Sequence, residues 1–348
     1  MFVASPPENN YENSEQPPVV WMFSGQGSQY YQMGKGFYDH HPTFRSWMQR
    51  LDQVVVEYSG QSIIDILFDE KNSKAQAFSR VRYTHPALFM VQYSLAQTLI
   101  AENYRGPDYL LGASLGEFVA AVIANVFDAE SMLHDLMVQA SLMETYCDSG
   151  GMLAVIDHPS VYHENEMIRN HSELAGTIFE NSFVISGKAR DLSEISEFLK
   201  RREILHQLLP VSVAFHSSYL DGAKTPFIKA FASRIFHSPS IPIVSCVGQS
   251  FESGSGEFSD RCSPTYSANY CWNIIRQPIA FQQTFAAFHK HCPQAIYLDL
   301  SPSGTMATFV KYNLPGNSST RSVPLMTPYQ NDPSSIEKVK AQFSMLAH

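Results

Sequence analysis

The sequence predicts an α/β protein with a parallel sheet, and two observations carry this prediction. Short apolar runs bounded by proline or glycine, such as Val19 to Phe23 and Asp108 to Gly112, are typical of strands that are buried on both faces. Stretches with helical periodicity alternate with these runs, including His85 to Glu102 and about Ala129 to Tyr146. This alternation is typical of a three-layer domain in which helices cover both sides of a sheet.

The order of the predicted elements changes between residues 150 and 212. There the chain runs strand, helix, strand, strand, helix, strand, which is the ferredoxin-like order. Apolar runs later in the chain again have the pattern of strands in the parallel sheet. We therefore expect a large domain made of residues 18–149 and 213–335, with a ferredoxin-like subdomain inserted at 150–212. Polar composition predicts a flexible tail over residues 1–17 and a mobile loop over 250–264.

Charge and cysteine content exclude several classes of function. Acidic residues outnumber basic ones by 33 to 24, which argues against nucleic acid as a partner. The N-terminus lacks the features of a signal peptide, and no stretch is long enough to cross a membrane, so we expect no membrane partner. The five cysteines are irregularly spaced, which favours a reducing, cytoplasmic setting over disulfides or zinc. Neither a metal nor a cofactor is expected.

The segment "YLLGASLGEF" places Ser114 between two glycines, after an apolar run. A serine in a G-x-S-x-G pattern occupies a strained turn between a strand and a helix, where its hydroxyl is exposed for nucleophilic attack. The alternative is an ordinary helix cap, because serine is a favoured N-cap and Glu117 follows three residues later, as in a capping box. The pentapeptide alone leaves both interpretations open.

A nucleophilic serine needs a base, and thirteen histidines are available. His216 is the candidate because it follows a predicted strand that re-enters the large domain; its alternative role is that of a solvated loop residue. The glycine-rich segment Ser24 to Gln29 lacks the ending of a phosphate loop, so we expect it to donate backbone N–H groups to an oxyanion. The "DHHP" and "HKHC" clusters lack the spacing of metal ligands and are predicted to lie on the surface.

Several motifs occur together and in order between about residues 19 and 330: "FSGQGSQYYQMG", "YTHPALF", "GASLGE", "FVISG", "AFHSSYLD", "RQPIAF" and "LDLSPSGT". Together they resemble the malonyl-CoA:acyl carrier protein transacylase and polyketide synthase acyltransferase family. Each motif alone would be weak, whereas the ordered set is specific.

The resemblance implies an α/β-hydrolase-like large domain with a ferredoxin-like insertion, and ping-pong acyl transfer through an acyl-serine. By this resemblance Ser114 is the nucleophile and His216 the base, oriented by a backbone carbonyl near Ile274. The N–H groups of Gln26 and Leu115 would form the oxyanion hole. The implied partner is an acyl carrier protein with its phosphopantetheine arm, or acyl-CoA.

Departures from the family pattern concern residues expected to line the acyl pocket. Where the transacylases carry an arginine that pairs with the carboxylate of malonyl groups, this chain has Gln139. His85 replaces the family's glutamine in "T-Q-P-A-L", and Ala113 replaces its histidine before the serine. Val213 replaces the first residue of its "H-A-F-H" segment, whereas Phe215 matches the family. Glutamine cannot neutralise a carboxylate, so these changes predict a pocket for uncharged acyl groups.

This pattern resembles the free-standing acyl hydrolases of trans-acyltransferase polyketide synthases, which clear acyl groups from stalled carrier proteins. An acyltransferase for malonyl units is the alternative, and Arg276 would be the nearest replacement for the missing arginine. A non-catalytic scaffold is the third hypothesis. Carrier proteins are acidic, and Lys200-Arg201-Arg202 is a candidate docking patch, although a solvated helix end would explain it equally well.

Overall fold

The computed structural model describes residues 16–248, 262–316, 318, 320–330 and 332–344. Most of the predicted tail (1–17) and most of the predicted mobile loop (250–264) lie outside the described residues.

Strands and helices alternate through most of the described chain. The strands are β1 (Val19–Phe23), β2 (Tyr109–Gly112), β3 (Gly150–Ile156), β4 (Glu173–Phe179), β5 (Ser182–Lys188), β6 (Leu205–Leu208), β7 (Ile243–Ser245), β8 (Ile279–Ala280), β9 (Ile296–Asp299) and β10 (Arg321–Pro324). The helices are α1 (Lys35–His40), α2 (Pro42–Ser59), α3 (Ile63–Phe68), α4 (Val81–Ala101), α5 (Leu115–Ile123), α6 (Ala129–Tyr146), α7 (Ser160–Glu164), α8 (Glu166–Arg169), α9 (Ala189–Arg201), α10 (Lys224–Phe231), α11 (Ala268–Arg276), α12 (Phe281–His291), α13 (Thr305–Asn313) and α14 (Ser334–Ser344), with a 3₁₀ helix at Ser218–Ala223. None of the helices described is both long and apolar enough to span a bilayer.

The first sheet is parallel and has the strand order β10-β9-β1-β2-β7. Its central strands β1 and β2 are fully buried, as their unbroken apolar sequences predict. All five strands run in the same direction, so their carboxyl ends lie along one edge. The loops after β1 and β2 therefore meet there, which brings the glycine-rich segment close to the serine turn.

The second sheet has the order β6-β3-β5-β4-β8. Strands β3 to β6 pair antiparallel in the spatial order fourth, first, third, second, which is the ferredoxin-like arrangement. Leu153, Phe183, Ile185, Leu192 and Ile195 belong to a separate small core of this unit. The short strand β8 adds parallel to β4, although it comes from the chain segment assigned to the large domain. The α/β fold with a parallel sheet and a ferredoxin-like insertion is confirmed, whereas the predicted domain boundaries stay a prediction.

Two helices differ from their predicted extents. The helix predicted from His85 begins at Val81, so Pro86 lies inside helix α4. Pro86 has no N–H to donate to the carbonyl of Arg82, so this turn of the helix lacks one backbone hydrogen bond. The first helix predicted between residues 150 and 212 is broken at Asn165, whose backbone is extended and whose side-chain amide donates to the carbonyl of Val161.

Candidate active site

Ser114 occupies a sharp turn between strand β2 and helix α5. Its φ is 55° and its ψ is −126°, a backbone conformation that costs a residue with a side chain about 1–3 kcal/mol. The flanking glycines allow the turn, because a Cβ at Gly112 would lie 2.4 Å from the Cα of Glu117, and one at Gly116 would lie 2.1 Å from the carbonyl oxygen of Phe23. The Ser114 side chain makes no capping hydrogen bond to its helix. The hydroxyl is therefore not used as the helix cap that the sequence left open.

His216 lies against this serine and is the nearest base. Its Nε2 is 2.8 Å from the Ser114 hydroxyl oxygen, and its Nδ1 is 2.7 Å from the carbonyl oxygen of Gln277. Because a carbonyl can only accept, Nδ1 carries the proton and Nε2 is free to accept the serine proton. Burial lowers the pKa of His216 from 6.5 to about 4, opposed by its hydrogen bond to the Gln277 carbonyl. The imidazole is therefore neutral at physiological pH.

The carbonyl that orients His216 differs from the predicted one near Ile274. Ile274 still lies within helix α11, which runs to Arg276, and the first carbonyl beyond the helix that reaches the base is that of Gln277. Gln277 has an extended backbone with φ −77° and ψ 149°, the conformation that a following proline, here Pro278, imposes. The "RQP" proline was the sequence signal that would have identified this carbonyl.

Two backbone N–H groups lie beside the serine without an acceptor. Among the hydrogen bonds of the described residues, neither the N–H of Gln26 nor that of Leu115 has a partner. The Gln26 loop approaches the serine closely, since a Cβ at Gly25 would lie 2.7 Å from the Cβ of Ser114. Leu115 opens helix α5, whose positive dipole end adds to its N–H group. Together these groups can stabilise an oxyanion formed at the serine.

A cavity of about 500 Å³ opens above the serine, between the carboxyl edge of the first sheet and one face of the second. Five of the predicted site residues line it: Ser114, His216, Gln26, Ala113 and Phe215. Most of the remaining wall is apolar and includes Met152, Ala154, Ile178, Val184, Met306 and Phe309. No lysine or arginine is among the described residues that line it.

Three residues predicted to line the pocket are not at the cavity surface. Gln139, His85 and Val213 are buried and absent from the described lining, because Gln139 and His85 face the core from helices α6 and α4. The His85 ring packs edge-on behind Phe215, with ring centroids 5.5 Å apart, and burial lowers its pKa to about 3. Within the described structure neither polar atom of the Gln139 amide has a hydrogen-bond partner. Gln139 therefore lies in the protein core, and the prediction that it lines the pocket is corrected.

Other charged candidates lie away from the cavity. Arg276 forms an ion pair with Asp221, with 2.6 Å between Nε and Oδ1, and does not line the cavity. In the "DHHP" cluster, His41 pairs with Glu102 at 3.3 Å. Across the described ranges, no three His, Cys, Asp or Glu side chains are grouped closely enough to hold a metal ion. The Lys200-Arg201-Arg202 segment ends helix α9, where Arg202 donates to the side chain of Asn165.

Sequence reasoning missed a buried carboxylate next to the nucleophile. Glu117 is fully buried and accepts hydrogen bonds from the Tyr270 hydroxyl at 2.6 Å and from the Ser245 hydroxyl at 2.9 Å. Burial raises the pKa of Glu117 from 4.5 to about 7, opposed by these hydrogen bonds. Glutamate at this position suggested a capping box, and no sequence pattern pointed to Tyr270 or Ser245.

A serine on a strained turn, a neutral histidine and two unpaired N–H groups on an α/β fold define the class of serine-dependent acyl-transfer enzymes. The comparisons with known proteins agree. The chain belongs to the acyl transferase domain family, whose model matches residues 20–346. It is therefore an enzyme of a family in which serine-dependent acyl transfer is typical.

Two relatives from bacilli match nearly the whole chain. A polyketide biosynthesis acyltransferase homolog of Bacillus subtilis, PksD, is 38% identical over 325 residues, which cover 93% of this chain and 96% of the relative. A second homolog of the same description, BaeD of Bacillus velezensis, is 37% identical with the same coverage. Among solved structures, the protein named MCAT from Streptococcus pneumoniae superposes with a TM-score of 0.73 at 22% identity, covering 93% of this chain and 99% of that one. That likeness supports the fold.

Proposed function

We propose that the protein is an acyl hydrolase of polyketide biosynthesis, which removes uncharged acyl groups from the phosphopantetheine thioester of an acyl carrier protein. One observation carries the choice of substrate: the cavity above Ser114 has an apolar wall without lysine or arginine among its described lining. The names of the two bacillar relatives support the polyketide setting. The resemblance to hydrolases that lack the family arginine supports water as the acyl acceptor.

The first half-reaction forms an acyl-serine. His216 Nε2 takes the proton of the Ser114 hydroxyl while Oγ attacks the thioester carbonyl carbon. The carbonyl electron pair moves onto oxygen, where the N–H groups of Gln26 and Leu115 donate to it. When the carbonyl re-forms, the C–S bond breaks, and the phosphopantetheine thiolate takes the proton back from His216.

The second half-reaction hydrolyses this ester. His216 Nε2 takes a proton from water, whose oxygen attacks the acyl carbon and forms a second oxyanion on the same two N–H groups. The bond between the carbon and Oγ then breaks, and Ser114 recovers its proton from His216. A neutral imidazole is required at both steps, and the lowered pKa of His216 provides it.

A malonyl group suits this cavity poorly. Its carboxylate would lose its hydration against an apolar wall without a cation to pair with, at a cost of several kcal/mol. An acetyl or longer alkyl group carries no such charge and gains from contact with the wall. The cavity therefore favours uncharged acyl groups, and its volume of about 500 Å³ accommodates chains longer than acetyl.

The alternative is a malonyl-CoA:acyl carrier protein acyltransferase. It is favoured by the Ala214-Phe215-His216 segment, which matches the end of the form that accompanies malonyl selection in the family. Acyl-CoA would then be the donor and a carrier protein the acceptor.

A substrate panel separates the two. The enzyme is incubated with carrier protein loaded with acetyl, longer acyl or malonyl groups, and release is followed by the intact mass of the carrier protein. We expect hydrolysis of the uncharged groups and little action on the malonyl group, with Ser114→Ala as the inactive control. Malonyl transfer to a second carrier protein that outpaces all hydrolysis would overturn the proposal.

A Gln139→Arg variant tests the missing cation separately. Gln139 lies in the core, but the family resemblance implies that the longer side chain of an arginine at this position reaches the acyl group. Loading of malonyl-CoA should therefore rise, and turnover of neutral acyl groups should fall. Gln139→Lys, which adds a charge without the bidentate fork, is the matched control. An unchanged ratio of malonyl to acetyl turnover in the arginine variant would show that position 139 has no influence on acyl selection.

A further inference from the structure

Glu117 is a fully buried carboxylate that no step of the proposed reaction uses. It lies three residues beyond Ser114, in the first turn of helix α5. Its two oxygens are held separately, one by the Tyr270 hydroxyl at 2.6 Å and the other by the Ser245 hydroxyl at 2.9 Å. The two hydroxyl oxygens are themselves 2.7 Å apart, so the three side chains form one buried group, and the Tyr266 side chain and the Cys246 backbone also interact with Glu117.

The helix that carries Tyr270 also holds the base. Tyr270 lies near the start of helix α11, and about two turns later the end of this helix provides two carbonyls to His216. The carbonyl of Gln277 accepts from Nδ1 at 2.7 Å, and that of Ile275 accepts from the backbone N–H of His216 at 2.9 Å. One rigid element therefore connects the group around Glu117 with the orientation of the imidazole.

Both reacting residues have strained backbones that their surroundings must fix. Ser114 has a φ of 55° and His216 a φ of 60°, in the region that favours glycine. They belong to chain segments 102 residues apart, and the 2.8 Å contact between Nε2 and Oγ depends on how these segments are held together. A displacement of about 1 Å between a nucleophile and its base can reduce the rate by about 100-fold.

We propose that Glu117 and Tyr270 form a positioning pair, which fixes the distance between Ser114 and His216 by joining the nucleophile's helix to the helix that orients the base. Neither residue is among the described residues that line the cavity, so both act through the dyad. The inference rests on the Ser114–His216 dyad of the proposed function and is independent of the acyl group and of the acceptor.

The test measures the reactivity of Ser114 with a fluorophosphonate, which needs the dyad but no carrier protein. Tyr270→Phe removes only the hydroxyl that contacts Glu117, and we expect labelling to slow by about 10-fold. Combining it with Ser245→Ala should slow labelling further. Glu117→Gln keeps an oxygen that can accept from Tyr270 and should retain most of the rate.

A matched control separates positioning from loss of stability. Tyr162→Phe removes a tyrosine hydroxyl that donates to a backbone carbonyl in the inserted subdomain, at 3.2 Å from the Ser172 oxygen. It should lower the melting temperature because a hydrogen bond is lost, with labelling of Ser114 within about twofold of the wild type. In steady-state assays of the full chain, Tyr270→Phe should lower kcat and leave KM unchanged.

The outcomes distinguish this inference from the proposed function. If a folded Tyr270→Phe variant is labelled at the wild-type rate, the positioning pair is overturned, even if the double variant fails to fold. Equal slowing by Tyr162→Phe would also overturn it, because the effect would then be one of stability. Normal labelling of the wild type without hydrolysis of any acyl carrier protein would overturn the proposed hydrolase and leave the positioning pair intact.

Discussion

The protonation state of His216 determines how the enzyme responds to acid. Burial lowers its pKa from 6.5 to about 4, so the neutral form persists well below physiological pH. At pH 5.5 a histidine with a pKa of 6.5 would be about 9% neutral, whereas one with a pKa near 4 is about 97% neutral. Reactivity of Ser114 should therefore change little between pH 7.5 and 5.5, instead of falling about 10-fold.

The assay is the second-order rate constant for labelling of Ser114 by a fluorophosphonate, measured from pH 4 to pH 8. The expected profile is flat above about pH 5 and falls as His216 gains a proton near its pKa of about 4. Glu117 also titrates in this range, near a pKa of about 7, so the profile is repeated with Glu117→Gln. A half-maximal rate near pH 6.5 in both proteins would refute the conclusion that burial keeps the base neutral.

Three substitutions test other features of the site. Gln139→Leu removes two buried polar atoms that have no hydrogen-bond partner in the described structure, so the free energy of unfolding should rise by about 1–3 kcal/mol. A lower melting temperature would show that the Gln139 amide is hydrogen-bonded in the folded protein. Gly116→Ala should destabilise the fold by about 1–3 kcal/mol or more, because the new Cβ would lie 2.1 Å from the Phe23 carbonyl oxygen. Gly106→Ala is the control: its Cβ would have no atom within 4 Å, so the melting curve should change little. Pro278→Ala should lower kcat several-fold with a small change in stability, and an unchanged kcat would show that the proline does not fix the carbonyl that orients the base.

The sequence predicted those parts of the fold that depend on local patterns. Strand β1 is a short apolar run that follows Pro18, and β2 is one that ends in Gly112. Helix α6 has its predicted bounds because Asp128 caps it by accepting from the Ser131 N–H. The ferredoxin-like insertion followed from element order alone. The parallel addition of β8 to β4 was not predictable, because it joins two short segments about 100 residues apart through backbone pairing.

The sequence predicted the site residues whose backbone is fixed by a motif, and it was less successful for residues whose position depends on tertiary packing. Ser114 and His216 were candidates from their segments and received their roles from the family resemblance, and the structure brings them within hydrogen-bond distance. Gln139 was placed at the cavity because it matches the family arginine, and the pattern of a helix does not show how deep a residue lies in the core. Tyr270 could not be foreseen, since its contact with Glu117 spans 153 residues of sequence and is made only by the packing of α11 against α5.

The acceptor for His216 Nδ1 is a main-chain oxygen, and this affects how the enzyme tolerates change. Every amino acid carries the same carbonyl, so a substitution scan would record lost activity at Ser114 and His216 and broad tolerance at Gln277. Such a scan would record two essential positions and would miss the carbonyl that orients the base. For the same reason, grafting this site onto another scaffold would require copying the end of a helix together with the proline that follows it.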